Sequence, residues 1–308
     1  MARRYTAPAA PVVQVVPMEQ RALGSTGLLV SALGLGAGRI GGGEIAQVDR
    51  LVSAALDLGV TLIDTARSYG DSEELLGRVL LGRRERAVLS TKVGYGVEDV
   101  PDWTGDCIAR GVDAALQRLR TDRIDVVHLH SCPRETLERA AVVEALQAAV
   151  QAGKVRVAAY SGEGDALLWA IRSGAFGAVQ CSVSVVDQGV LNGALPEAAS
   201  RGLGVLAKRP LGNAPWRFSA QPAEDDVAEA WRRFVALELR AGVLPWESLF
   251  ARFAAFSPGV SSILLGTSSV EHLRAAASAV EEGPLDATLA DGLRRDFARV
   301  GLSWSGRI

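Results

Sequence analysis

The chain has 308 residues, 48% of them hydrophobic and 22% charged, and a net charge of −2. That balance gives ample core for a globular protein, removes the simplest electrostatic case for a nucleic-acid or anionic-membrane partner, and contains no apolar run near the roughly 20 residues a membrane-spanning helix needs. Three scattered cysteines, Cys107, Cys132 and Cys181, have neither metal-ligand spacing nor a disulfide framework; they suit reduced thiols and an expected cytoplasmic location.

Residues 1–20 open with Arg3-Arg4, but Pro8, Pro11, Gln14 and Pro17 interrupt any signal-like apolar stretch. They are expected to be a disordered tail ahead of a single catalytic domain, 21–308. Arg21–Leu23, a Gly24–Gly27 turn and Leu28–Ser31 read as a β-hairpin. Strand and helix patterns then alternate: strand Ala32–Gly36, helix Ala46–Leu58, strand Thr61–Ala66, helix Ser72–Leu81, strand Ala87–Val93, helix Gly105–Arg120, strand Ile124–His130, helix Arg134–Ala152. The second half continues with strand Val155–Ser161, helix Asp165–Ser173, strand Ala178–Val185, helix Gly193–Ser200, strand Gly204–Lys208, helix Trp246–Phe256, strand Ser261–Gly266 and helix Val270–Val280. Eight such units in series predict an α/β fold, a parallel (β/α)8 TIM barrel. Two additions stand out. A long segment, Gly212–Pro245, follows the seventh strand, where a barrel carries lids and substrate walls. After Pro284, Leu285–Val300 reads as an extra C-terminal helix.

The segment LIDTARSYG, residues 62–70, is the chemical focus. A carboxylate near the end of a core strand costs several kcal/mol unless it is paired, so Asp64 needs a cation, and Lys92 on the next strand is the candidate. Strand alternation gives Asp64, Lys92 and His130 a common face at the carboxyl ends of three consecutive strands, side by side, with Tyr69 just above. His128 shares that parity one layer deeper and is expected to be a hydrogen-bonded barrel histidine, and Cys132 a loop cysteine. A phenol can deliver a proton to an oxygen on which negative charge develops. Tyr69 can do so if the Lys92 ammonium favours the phenolate, with Asp64 holding Lys92 and His130 placed to hydrogen-bond the same oxygen.

These residues, with RALGSTGLLVSALGLG, RTDRIDVVHLHS, AKRPLG and LLGTSSVEHLRAA, resemble the aldo-keto reductases from Arg21 to about Val280. The resemblance implies a catalytic tetrad of Asp64, Tyr69, Lys92 and His130, a small-molecule carbonyl substrate, and NADPH as coenzyme, with NADH the alternative. It makes Ser161 and Gln180 ligands of the nicotinamide carboxamide, although Gly162 stands where the family has Asn. Lys208-Arg209-Pro210-Leu211 replaces a family segment whose aromatic ring stacks on the nicotinamide, so Lys208 either neighbours that ring or pairs with a phosphate. Gly266, Thr267 and Ser268 offer hydroxyls and N–H groups at a helix start, for a phosphate or as a plain N-cap. His272 and Arg274 stand where the family binds a 2′-phosphate. Neither a metal nor a nucleic-acid or membrane partner is implied, and no oligomeric state. Arg39, Trp103 and the Gly212–Pro245 segment are expected to form substrate walls. Two other classes stay open: a Schiff-base lyase or aldolase using Lys92 or Lys208, and a non-catalytic nicotinamide-binding regulatory module.

Overall fold

In the computed structural model, which describes residues 18–306 except 240, 241 and 243, a two-stranded antiparallel hairpin precedes a closed ring of parallel strands. The hairpin strands are β1 (Gln20–Ala22) and β2 (Leu29–Ser31). The ring comprises β3 (Leu33–Gly36), β4 (Leu62–Asp64), β5 (Val88–Val93), β6 (Ile124–His130), β7 (Val155–Ser161), β8 (Ala178–Ser182), β9 (Gly204–Lys208) and β10 (Ser262–Gly266), closed by pairing of β10 with β3. Around it lie α1 (Ile45–Asp57), α2 (Ser72–Val79), α3 (Gly105–Leu119), α4 (Arg134–Glu138), α5 (Ala141–Gln151), α6 (Gly164–Ser173), α7 (Ala194–Ser200), α8 (Asp225–Ala236), α9 (Trp246–Ala255), α10 (Val270–Glu281) and α11 (Ala287–Val300). The predicted (β/α)8 barrel with its hairpin and extra helix is therefore the observed fold. None of the described helices is long and apolar enough to cross a membrane.

The strands are buried on both faces, as their near-continuous apolar runs require. Outward residues such as Leu33, Leu35, Ile63, Leu89 and Val127 pack against the helix ring. Inward residues Leu62, Val126, Val157, Leu206 and Leu264 form a separate core with Leu23, Leu28 and Val30 of the hairpin, which thereby plugs the amino-terminal end of the barrel. Contact there is backbone-close: a Cβ on Gly24 would lie 2.3 Å from the Gly202 carbonyl oxygen, and one on Gly204 would lie 2.4 Å from Leu23. A third core caps the opposite side of the ring, where α8, α9 and α11 gather Val186, Phe250, Leu293 and Phe297. In it Trp216 packs 4.7 Å from Phe250 and Phe234 lies edge-on to Trp246 at 5.1 Å, pairs each worth about 0.5–1.5 kcal/mol beyond their buried area.

Four expected boundaries are corrected. Met18 is buried and Gln20 begins β1, so the fold starts before residue 21; residues 1–17 of the expected tail lie outside the described residues. The helix expected over Arg134–Ala152 is two, because Ala140 takes a left-handed φ of 64° between α4 and α5. The strand expected to reach Val185 stops at Ser182, where Ser184 and Asp187 exchange backbone hydrogen bonds in a tight turn. The strand expected to reach Ala66 stops at Asp64: the Thr65 carbonyl accepts from Lys92 instead, and that of Ala66 accepts from Tyr69 N–H.

Candidate active site

The barrel's stagger assembles the site. Register pairs Asp64 with Ser90, Lys92 with His128, and His130 with Ser161. Each functional residue thus stands two positions beyond the partner of the preceding one. The expectation of three side chains side by side is corrected accordingly: they share a face and adjacent strands but not a rung. Closing tilted strands into a ring requires such a shear, and it brings the three strand ends to one mouth of the barrel. The loop carrying Tyr69 reaches that mouth because Gly41, after β3, has no side chain; a Cβ there would lie 2.2 Å from the Tyr69 carbonyl oxygen. Asp71 then fastens the same loop by accepting from Gly42 N–H at 2.6 Å.

Asp64 and Lys92 are both buried. Lys92 Nζ donates to Asp64 Oδ2 at 2.6 Å and to the Thr65 carbonyl at 2.7 Å, and it lies 5.1 Å from the centre of the Tyr69 ring. Asp64 Oδ1 accepts from Ser90 Oγ at 2.7 Å and Gln180 Nε2 at 3.2 Å. Burial opposes both charges, but the pairing outweighs it: Asp64 is held below the ordinary carboxylate range by Lys92 and its hydrogen bonds, and Lys92 above the ordinary lysine range by Asp64 and the Tyr69 phenol. A lysine so held is an ammonium, a poor nucleophile for imine formation, which counts against the Schiff-base class at Lys92.

His130 and His128 are both neutral at physiological pH. Burial, reinforced for His130 by the Lys92 charge, lowers His130 to about 3; burial lowers His128 to about 4. His128 Nε2 bonds Ser90 Oγ at 3.1 Å, the hydrogen-bonded barrel role expected of it. His130 meets Tyr69 edge-on, ring centres 6.2 Å apart. On its other side is a residue the sequence reading did not single out, Tyr95, whose hydroxyl lies 2.7 Å from His130 Nδ1. Trp103, expected to form a substrate wall, packs edge-on against Tyr95 at 5.8 Å. Arg39 ends a short 3-10 turn after β3 and is exposed. Cys132 is buried and its thiol pushed up to about 12 by burial.

The residues assigned to the coenzyme fall into two groups. Ser161 at the end of β7 and Gln180 in the middle of β8, paired in register, are buried; Ser161 Oγ donates to Gln180 Oε1 at 2.9 Å. With the Gln180–Asp64 bond this makes a continuous polar chain from β7 to the ion pair. Lys208 ends β9 with its Nζ 3.3 Å from Glu163 Oε1, a partner the sequence reading did not identify; Glu163 also accepts from Ser182 N–H. Arg209 pairs with Asp226 of α8 at 2.9 Å, Pro210 is buried and Leu211 half-buried. The long segment, through α8, thus closes over the exits of β8 and β9, where Arg233 lies 3.5 Å from the buried Asp187. Burial, then the nearby Glu163 charge, raises Asp187 to about 7. The second group is at the β10 exit, four strands round the ring from β6. There Thr267 is buried, Gly266, Ser268, His272 and Arg274 are exposed, and Ser269 caps α10 by accepting from His272 N–H.

The donor set fits a nicotinamide. Glu163 Oε2 and Ser184 Oγ, buried at the exits of β7 and β8, have no hydrogen-bond partner among the described residues; an amide supplies the donors and acceptor such atoms need. Glu163, Asp187 and Tyr95 escaped the sequence reading because their roles come from contacts, although Tyr95, three residues past the strand-end lysine, carries a positional signal.

An ammonium locked beneath a half-exposed phenol, beside a neutral imidazole at the carboxyl ends of barrel strands, is an arrangement chemically able to pass a proton to or from an oxygen. Residues 32–293 match the model of the Aldo/keto reductase family. The chain is 30% identical to L-galactose dehydrogenase of Arabidopsis thaliana, over 86% of this chain and 89% of that one. It is 32% identical to 6-dehydroglucose reductase of Novosphingobium aromaticivorans, over 70% of this chain and 76% of that one. An aldo-keto reductase of Bacillus halodurans, in its holo form, shares the fold with a TM-score of 0.78 at 24% identity, covering 91% of this chain and 96% of that one. The chain belongs to the aldo-keto reductase family and is an NAD(P)H-dependent oxidoreductase acting on carbonyl chemistry.

Proposed function

We propose that the protein reduces a small aldehyde or ketone with NADPH, and oxidises the alcohol in reverse, with Tyr69 as general acid. The observation that carries this reading is Lys92 Nζ, fixed by Asp64 Oδ2 and the Thr65 carbonyl under the Tyr69 ring. When bound, the reduced nicotinamide supplies a hydride to the carbonyl carbon. Tyr69 gives its hydroxyl proton to the oxygen, and the Lys92 ammonium stabilises the phenolate left behind. Asp64 keeps that ammonium charged and in place. His130, neutral because it is buried, donates an N–H to the same oxygen and orients it. Ser161, Gln180 and Glu163 would hold the carboxamide. Arg274, exposed two residues beyond His272 on α10, is the available cation for a 2′-phosphate, which supports NADPH over NADH. The names of the two relatives put hexoses and their dehydro forms first among substrates to try.

The test is Tyr69→Phe. Loss of absorbance at the reduced-nicotinamide band should slow by roughly 10²–10⁴-fold, while NADPH affinity, read by fluorescence titration, stays within about twofold because the hydroxyl acts mainly in the transition state. A variant retaining half the wild-type kcat removes Tyr69 from the reaction.

A further inference from the structure

Tyr95 lies outside the tetrad yet holds its imidazole. The chain leaves β5 through Gly94, whose φ of +143° and missing Cβ admit the Trp103 ring; a Cβ there would lie 2.1 Å from it. Trp103 packs edge-on against Tyr95, and Tyr95 stacks on His130 with ring centres 5.5 Å and planes 21° apart. Stacking and hydrogen bond act together, since the Tyr95 hydroxyl also meets His130 Nδ1 at 2.7 Å.

A neutral imidazole carries its proton on one nitrogen, and the hydrogen bond at the other decides which. Among the described residues the other polar neighbour of the Tyr95 hydroxyl is Ser68 Oγ, to which it could donate only across 3.4 Å, longer than an ordinary O–H···O bond. Imidazole nitrogen is also the stronger base. We infer that Tyr95 is a positioning residue: its phenol donates to His130 Nδ1, which fixes the proton on Nε2 and makes Nε2–H the donor offered to the carbonyl oxygen. The inference rests on the role proposed for His130. Burial, with the Lys92 charge, excludes the doubly protonated imidazolium at physiological pH, so the choice is between two neutral tautomers.

The full chain labelled with 15N-histidine contains three histidines, and His130→Gln assigns the resonances of His130. Long-range 1H–15N spectra of the wild type should show His130 Nδ1 as the unprotonated, hydrogen-bond-accepting nitrogen and Nε2 as the protonated one. Tyr95→Phe keeps the stacked ring and removes the hydroxyl; the His130 Nδ1 resonance should move, and kcat should fall roughly two- to tenfold, the share of one neutral hydrogen bond, with coenzyme affinity unchanged. A purely structural role for Tyr95 would not change the tautomer. A proton on Nδ1 in the wild type, or His130 resonances unaltered in Tyr95→Phe while His130→Gln is impaired, overturns the inference about Tyr95 alone. A shifted tautomer with an unimpaired His130→Gln overturns the proposed role of His130, and with it the catalytic consequence of Tyr95.

Discussion

Replacing Asp64 by Asn keeps the shape of the buried pair and removes one of its charges. Lys92 is 1% exposed and bonds Asp64 Oδ2 at 2.6 Å, while Ser90 and Gln180 donate to Oδ1; an amide offers one acceptor where two are needed. Stranding one member of a buried pair costs about 3–5 kcal/mol. At about 2–3 °C per kcal/mol for a large domain, the melting temperature should fall roughly 6–15 °C. The pH dependence makes the prediction specific. In the wild type, Lys92 sits above its ordinary 10.5 although burial opposes the charge, so its contribution is complete below that value and lost only as pH rises through the higher folded one. Asp64 sits below its ordinary 3.8, so its contribution is present above 3.8 and lost as pH falls through the lower folded value. Between about pH 4 and 10 the pair's contribution is therefore flat. In Asp64→Asn nothing opposes burial to the same degree, and Lys92 drops below its ordinary value. The unfolded chain then keeps a proton that the folded chain sheds, so stability recovers as pH rises. Melts of both proteins at about pH 6, 8 and 9.5 should show the deficit shrinking. A deficit below about 2 °C, or one constant across that range, refutes the reasoning.

Lys92→Met should cut kcat by at least about 100-fold and reshape the pH–rate profile, because the phenol loses its cation; an unchanged profile refutes the coupling of Lys92 to Tyr69. His128 at about 4 and His130 at about 3, both lowered chiefly by burial from 6.5, give stability that is present above pH 6.5 and lost as pH falls, since the unfolded chain takes up protons the native one refuses. Denaturant midpoints should therefore drop between pH 7 and 5, less steeply in His130→Gln, by about 1.4 kcal/mol per pH unit for the missing proton; parallel slopes refute the assignment. Glu163→Gln removes the carboxylate 3.3 Å from Lys208 and should weaken NADP+ more than NADPH, because only oxidised nicotinamide carries the positive charge that Lys208 would then repel. Equal tightening of both forms in coenzyme titrations would instead put Lys208 at a phosphate.

Asp64, Lys92 and His130 of the candidate site were readable in the sequence because each sits at or beside the end of a strand whose apolar run marks its own position, and Tyr69 because it follows Asp64 in the same segment. Asp64 closes β4, Lys92 lies one residue from the end of β5 and His130 closes β6. The pairing of Asp64 with Lys92 followed from charge and burial alone. Lys208 was readable as a departure from family pattern, yet its partner was not: Glu163 lies on another turn of the barrel, 45 positions earlier in the chain, and glutamate after a strand is ordinary surface chemistry until the fold buries it.

The amino-acid sequence by itself determined what local periodicity and short-range sterics decide: eight alternating strand and helix patterns, the glycine turn of the hairpin, the terminal helix, and the strand-end residues of the candidate site. Only the tertiary structure decided what depends on shear and on distance along the chain. The two-residue stagger from strand to strand set which rungs Asp64, Lys92 and His130 occupy. Ring closure brought Gln180 against Asp64, 116 positions away, and a left-handed Ala140 split one apolar helix pattern into two. The exit of β5 laid Tyr95 on His130. Such contacts follow from closing the ring, because a hydrogen bond at 2.7 Å between residues 35 apart depends on the register of every strand that positions them, a quantity no local pattern contains.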